Sequence, residues 1–226
     1  MRSAKMRRMD ASFHLPSFVD YSATLIWAMT GALLAARRGY DIAGIAALAL
    51  VTSTGGGLLR DGLFLNNGAP ALLRSSTFFV LIGIATLIVV LFGRFVVKWR
   101  FFDTMIVLAD GIGIGAYALV GMQLSRAAGL GVEPAIFVGI VNAVGGGVLR
   151  DVLIRREPDI FRPGVPTALA ALFGCLAFIA LTRGLDLRDA VAAWIAIGAV
   201  LTLRVLALRF DLRTRSIMGL SEEAVP

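Results

Sequence analysis

Residues 55–61 read GGGLLRD and residues 145–151 read GGGVLRD, one pattern set down twice at a spacing of 90 residues. Each glycine in a helix interior costs about 0.8–1 kcal/mol relative to alanine, so three in a row mark a place where a helix bends, opens or is approached closely. The same offset carries Asp20 onto Asp110, Ala28 onto Ala118, Gly31 onto Gly121 and Thr52 onto Asn142. The chain is therefore read as a duplication, and the meaning of the glycines depends on the medium around them.

That medium is lipid. Of 226 residues, 58% are hydrophobic and 16% charged, and the mean hydropathy is +0.84, far from the balance of a soluble domain. A spanning helix takes about 20 mostly apolar residues, because hydrocarbon leaves no backbone polar group a partner outside the helix. Seven stretches qualify, near 16–36, 41–62, 76–97, 102–125, 132–153, 165–182 and 189–209. The basic opening MRSAKMRR resembles the start of a signal peptide, but Asp20 and the length of the first stretch favour a retained span.

Equivalent points of the two copies are separated by three spans, an odd number, so the second copy enters the membrane from the opposite face. The expected fold is an all-α integral membrane protein with seven transmembrane helices, an inverted repeat of two three-helix bundles plus a seventh helix. Its parts are an N-terminal tail (1–15), repeat 1 (16–100), repeat 2 (101–184), helix 7 (185–210) and a C-terminal tail (211–226).

The net charge of +7 would suggest nucleic acid in a soluble domain. Here Arg37, Arg38, Arg94, Lys98, Arg100, Arg155, Arg156, Arg162, Arg209, Arg213 and Arg215 flank apolar runs instead. Their bias places the N-terminus outside and the C-terminus in the cytoplasm, with Arg2, Lys5, Arg7 and Arg8 pulling the other way. Arg204, within the last span, is expected to snorkel to the cytoplasmic interface. One cysteine, Cys175, and one histidine, His14, leave no material for a disulfide, a metal centre or a histidine-dependent catalyst. The glycine runs lack the Lys and Ser or Thr of a phosphate loop, and GIGIG at 111–115 lacks the strand and spacing of a dinucleotide site. No enzyme, metal or cofactor is expected, and GIGIG is read as tight packing.

Inverted repeats with interrupted helices place transport pathways between their halves. The candidate kink and pore residues are Gly55, Gly56, Gly57, Gly145, Gly146 and Gly147, with Thr52, Ser53 and Asn142 beside them. Sequence neighbours point in different directions on a helix. The charged residues Asp20, Arg60, Asp61, Asp110, Arg150 and Asp151 are accordingly expected to pair as Arg60 with Asp20 and Arg150 with Asp110, one pair near each pore mouth.

Two GGGxxRD copies on the second and fifth of seven spans resemble the bacterial branch of the trimeric intracellular cation (TRIC) channels, over almost the whole chain. The resemblance implies a homotrimer with an hourglass pore in every protomer, lined by kinked second and fifth helices and passing potassium chiefly, with sodium the other candidate. Animal members carry Lys-Glu-Val in place of the first glycine run, with nearby basic residues tied to phosphoinositides. This chain has glycines at both places, so a lipid-regulated gate of that kind is not expected. The resemblance also implies a multi-pass protein of the bacterial inner membrane. The same domain family carries a glycine-transporter label, so a secondary transporter of a small solute such as glycine is the alternative.

Overall fold

The computed structural model describes residues 16–65, 69–96, 100–158, 160–161 and 167–210. Both tails, His14, Lys98, Arg162, Arg213 and Arg215 lie outside the described residues, as do the side chains of Arg94 and Arg100. Among the described residues all regular structure is helical. The helices are α1 (Ser17–Arg37), α2 (Ile42–Leu59), the short α3 (Ala71–Arg74), α4 (Ser76–Val96), α5 (Arg100–Ala127), α6 (Val132–Leu153), α7 (Thr167–Gly184) and α8 (Asp189–Arg209). A π-helix, Arg60–Leu65, continues α2.

Six of these, all but α3 and α5, are long and apolar enough to cross a membrane. Their packing is that of a protein dissolved in lipid. Small side chains fill the interior, among them Ala28, Ala32, Ala49, Ala118, Ala135, Ala193 and Ala196 at 0% exposure, while Phe79, Leu87, Phe92, Phe95, Phe173 and Trp194 face outward. In lipid, bulky apolar groups gain nothing by hiding from the solvent, and small ones let backbones close on each other.

The turns repeat at the 90-residue offset. Gly39 (φ +76°) and Gly129 (φ +90°) sit just past α1 and α5 in the left-handed region that glycine adopts without a Cβ penalty. Each closes its helix in the same way: Tyr40 N–H donates to the Ala35 carbonyl and Gly39 N–H to Ala36, as Leu130 does to Ser125 and Gly129 to Arg126. The following helix begins at once, with the Asp41 carboxylate capping the Gly44 N–H at 2.8 Å in the first copy.

Two apolar cores result. One is shared by α1, α2 and α4, around Leu33, Leu48 and Val89; the other by α5 to α8, around Leu119, Phe178 and Val200. The GIGIG stretch packs tightly as expected: Cβ atoms on Gly111, Gly113 and Gly115 would meet Leu201, the Trp27 ring and the Ile197 backbone. α8 is therefore no peripheral addition, and the cores join where α2 crosses α6.

Candidate functional site

At the crossing of α2 and α6 each glycine of the triplet has its own task. A Cβ on Gly55 would lie 3.1 Å from the Gly146 Cα, and one on Gly145 would lie 3.1 Å from the Gly56 Cα. A Cβ on Gly56 would collide with the Asn142 carbonyl oxygen, and one on Gly146 with that of Thr52. Every one of these contacts has its counterpart at the 90-residue offset. The third glycines behave differently, for Gly57 and Gly147 have only the guanidinium of Arg60 or Arg150 near by, at 3.9 and 4.0 Å. The α-helix runs unbroken through both triplets. Departure from α geometry begins beyond them, at Arg60, where the π-helix starts.

A cavity of about 570 Å³ lies against this crossing. Of the residues singled out in the sequence, Thr52, Ser53, Gly56, Gly57, Asn142, Gly146 and Gly147 line it, as do Asp20, Arg60, Asp61, Asp110, Arg150 and Asp151. Gly55 and Gly145 do not, being spent on the helix contact. Thr24, Trp27, Thr30, Thr54, Tyr117, Gln123, Thr167 and Arg204 complete its polar wall.

The closest partners of the two motif arginines are not the expected ones, although Arg60 still acts on Asp20, and Arg150 on Asp110, through space. Arg60 folds back on its neighbour, with Nε 2.6 Å from Asp61 Oδ1 and Nη2 2.9 Å from Oδ2. Arg150 does the same to Asp151, with Nη2 2.8 Å from Oδ1. Successive residues diverge at Cβ, but an arginine stem is long enough to curl round to a short aspartate, and in an apolar setting the nearest opposite charge wins. Arg60 also crosses to α6, where Nη1 donates to Asn142 Oδ1 at 3.3 Å. Asn142 passes the connection on, its Nδ2 donating to the Tyr117 carbonyl at 2.7 Å.

Asp20 and Asp110 are held instead by aromatic donors that the sequence reading missed. The Tyr117 hydroxyl donates to Asp20 Oδ1, and Trp27 Nε1 donates to Asp110 Oδ1 at 2.9 Å. Positions 27 and 117 are themselves 90 apart, like 20 and 110, so the two bonds are one bond repeated with the copies exchanged. The rings meet between them, with centroids 5.1 Å apart. The signal was present in the offset: an aromatic residue with a polar N–H or O–H stands at the same place in both copies.

Arg204 is also not where expected. It turns inward rather than snorkelling to the interface, with its side chain 9% exposed and Nη2 3.6 Å from Asp110 Oδ2. A carboxylate and a threonine on neighbouring helices outweigh a reach along the lipid surface.

Five hydroxyls of the wall, on α1 and α2, make the same kind of bond. Thr24 donates to the Asp20 carbonyl, Thr30 to Trp27, Thr52 to Leu48, Ser53 to Ala49 and Thr54 to Leu50, at 2.6–2.8 Å. With each proton committed to the helix backbone, what these oxygens have left are lone pairs. Among acidic and basic side chains lining the cavity, four carboxyl groups (Asp20, Asp61, Asp110, Asp151) face three guanidiniums (Arg60, Arg150, Arg204), an excess of one acidic group. Such a wall can solvate and hold small cations.

The sequence and the fold have counterparts among known proteins. The family model described as "Glycine transporter" matches residues 17–94 and 107–183, segments whose starts are 90 residues apart. A solved chain from work on the structural basis for conductance through TRIC cation channels superposes with a TM-score of 0.79 at 27% identity, covering 92% of this chain and 100% of that one. The chain belongs to the TRIC cation-channel family. A TRIC channel orthologue from Rhodobacter sphaeroides superposes with a TM-score of 0.74 at 28% identity, over 86% of this chain and 97% of that one. Among curated relatives, the UPF0126 membrane protein YvgT of Bacillus subtilis is 30% identical over 67% of this chain and 74% of its own length. The UPF0126 inner membrane protein YadS of Escherichia coli K12 is 28% identical over 87% and 93%. A UPF0126 membrane protein of Deinococcus radiodurans is 32% identical over 63% of this chain and 65% of its own length. Like them, this TRIC-family chain is a multi-pass membrane protein.

Proposed function

We propose that the protein is a monovalent cation channel of the bacterial inner membrane, passing potassium chiefly, with a pore in each protomer of a homotrimer through the cavity at the α2–α6 crossing. The observation that carries this reading is the wall itself: hydroxyls turned as acceptors, with carboxyl groups in excess over guanidiniums. The seven spans include α5, and α1, α2 and α4 are related to α5, α6 and α7 by a pseudo-two-fold axis in the membrane plane. The reciprocal glycine contacts and the exchanged aromatic–aspartate bonds support that inversion. The N-terminus is outside and the C-terminus cytoplasmic, as the arginine bias suggests.

The test is single-channel recording from purified protein in a planar bilayer under a potassium gradient, repeated with Gly146→Leu. Unitary currents reversing near the potassium potential, and lost in the variant, are the expected outcome. Saturable transport of a small amino acid such as glycine is the second reading, favoured by the description of the matching family model. A silent bilayer together with saturable glycine uptake into liposomes would select it.

A further inference from the structure

The polar contacts of the two cavity aspartates with aromatic donors are matched at the 90-residue offset, Trp27 on Asp110 and Tyr117 on Asp20. Arg204 has no such counterpart. It stands on α8, which follows the duplicated part of the chain, and reaches only one of the two carboxylates. Its Nη2 lies 3.6 Å from Asp110 Oδ2, and its Nη1 donates to Thr167 Oγ1 at 2.6 Å, so the guanidinium ties α8 to α5 and to the first residue of α7.

The remaining charges do not restore the balance. Arg60 pairs with Asp61 and Arg150 with Asp151, alike in the two copies. Asp20 and Asp110 each also feel one motif arginine through space, Arg60 and Arg150 respectively, so the charge that distinguishes the two carboxylates is Arg204. The geometry of the Arg204–Asp110 pair is also unlike a structural clamp. The Arg204 side chain is 9% exposed and that of Asp110 36% exposed, and Arg204 Nε is buried without a hydrogen-bond partner. An arginine is costly to bury within a span and is expected to satisfy its donors where its task is to hold the fold. Here the carboxylate stays open to the cavity at more than hydrogen-bond distance from the guanidinium, where a passing cation competes for it.

We infer that Arg204 is a fixed counter-cation which α8 inserts at the Asp110 end of the cavity, so that the two ends hold a permeating cation unequally and the current rectifies. The inference rests on the channel reading, and assigns a permeation role to a residue outside the repeat.

Single-channel currents are recorded in symmetrical potassium chloride from wild type, Arg204→Gln and Arg204→Lys. Wild type rectifies. Arg204→Gln gives a nearly linear current–voltage relation, with about two-fold more current in the formerly suppressed direction, and Arg204→Lys, which keeps the charge, still rectifies. A linear wild-type relation, or one unchanged by Arg204→Gln, overturns the inference. The thermal stabilities of Arg204→Gln, Asp110→Asn and the double variant in detergent test the pairing without flux. Non-additive losses support Arg204 as the partner of Asp110, and additive losses overturn it. Silence of wild type in the bilayer with non-additive losses removes the channel reading, and rectification with it, while the Arg204–Asp110 pair stands.

Discussion

Within the glycine triplets, equal residues have unequal duties. Gly146 sits where any Cβ would strike the Thr52 carbonyl, whereas Gly147 has nothing nearer than the Arg150 guanidinium at 4.0 Å. Backbone cannot step aside as a side chain end can, so the first position must force α2 and α6 apart and the second need not. Gly146→Ala is expected to destabilise the protein by about 1–3 kcal/mol through overpacking, and Gly147→Ala to change stability by no more than about 0.5 kcal/mol. Melting temperatures in detergent check this, and equal losses would mean that the crossing is not as close as the contacts indicate. The triplets were legible in the sequence as a special place; their division of labour was not, because it depends on which way each Cα faces in the packed pair. The charges show the same limit. Arg60 and Arg150 could be located from the motif, but their partners depended on side-chain reach rather than on helical direction. Arg204 was misread because a spanning arginine near a helix end has two escapes, outward to the interface or inward to a carboxylate, and only packing chooses.

Between elements, the two copies differ most after the arginine. α6 stays α-helical to Leu153 and ends with Arg155 in the left-handed region at φ 55°, its turn closed by Arg156 N–H on the Asp151 carbonyl at 2.8 Å. The first copy instead continues into a six-residue π-helix, Arg60–Leu65, a geometry rare in proteins and concentrated at functional sites. Its i→i+5 pattern breaks the α ladder that α2 otherwise keeps. Amide hydrogen exchange in nanodiscs is expected to be about ten-fold or more faster over 60–65 than over 146–153; equal protection would show that the π segment is as firm as the helix it extends. No residue in RDGLFL announces a π-helix, whereas six of the seven expected spans were readable to within a few residues among the described residues, because apolar length is a demand of the bilayer and not of tertiary packing.

At the scale of the whole molecule, the exchanged bonds say more than any one of them. A bond from Tyr117 to Asp20 and another from Trp27 to Asp110, a reciprocal close approach of the glycine triplets, and turns closed alike at Gly39 and Gly129 are what a two-fold relation between halves requires. A relation of that kind in a membrane has a consequence for sidedness. If the axis lies in the membrane plane, the α1–α2 turn and the α5–α6 turn open on opposite faces; if the halves were parallel, they would share one. Tyr40 and Ala128 are exposed at these two turns, and the native Cys175 is buried and out of reach of a polar reagent. In Tyr40→Cys and Ala128→Cys variants treated with a membrane-impermeant maleimide, Ala128→Cys is expected to react in spheroplasts and Tyr40→Cys only after the membrane is opened. Reaction of both from the same side would reject the inversion, and with it the argument that one cavity, built twice from the same motif, faces both sides of the membrane. The reverse pattern would keep the inversion and turn the protein over, placing the Arg204 end of the cavity outside.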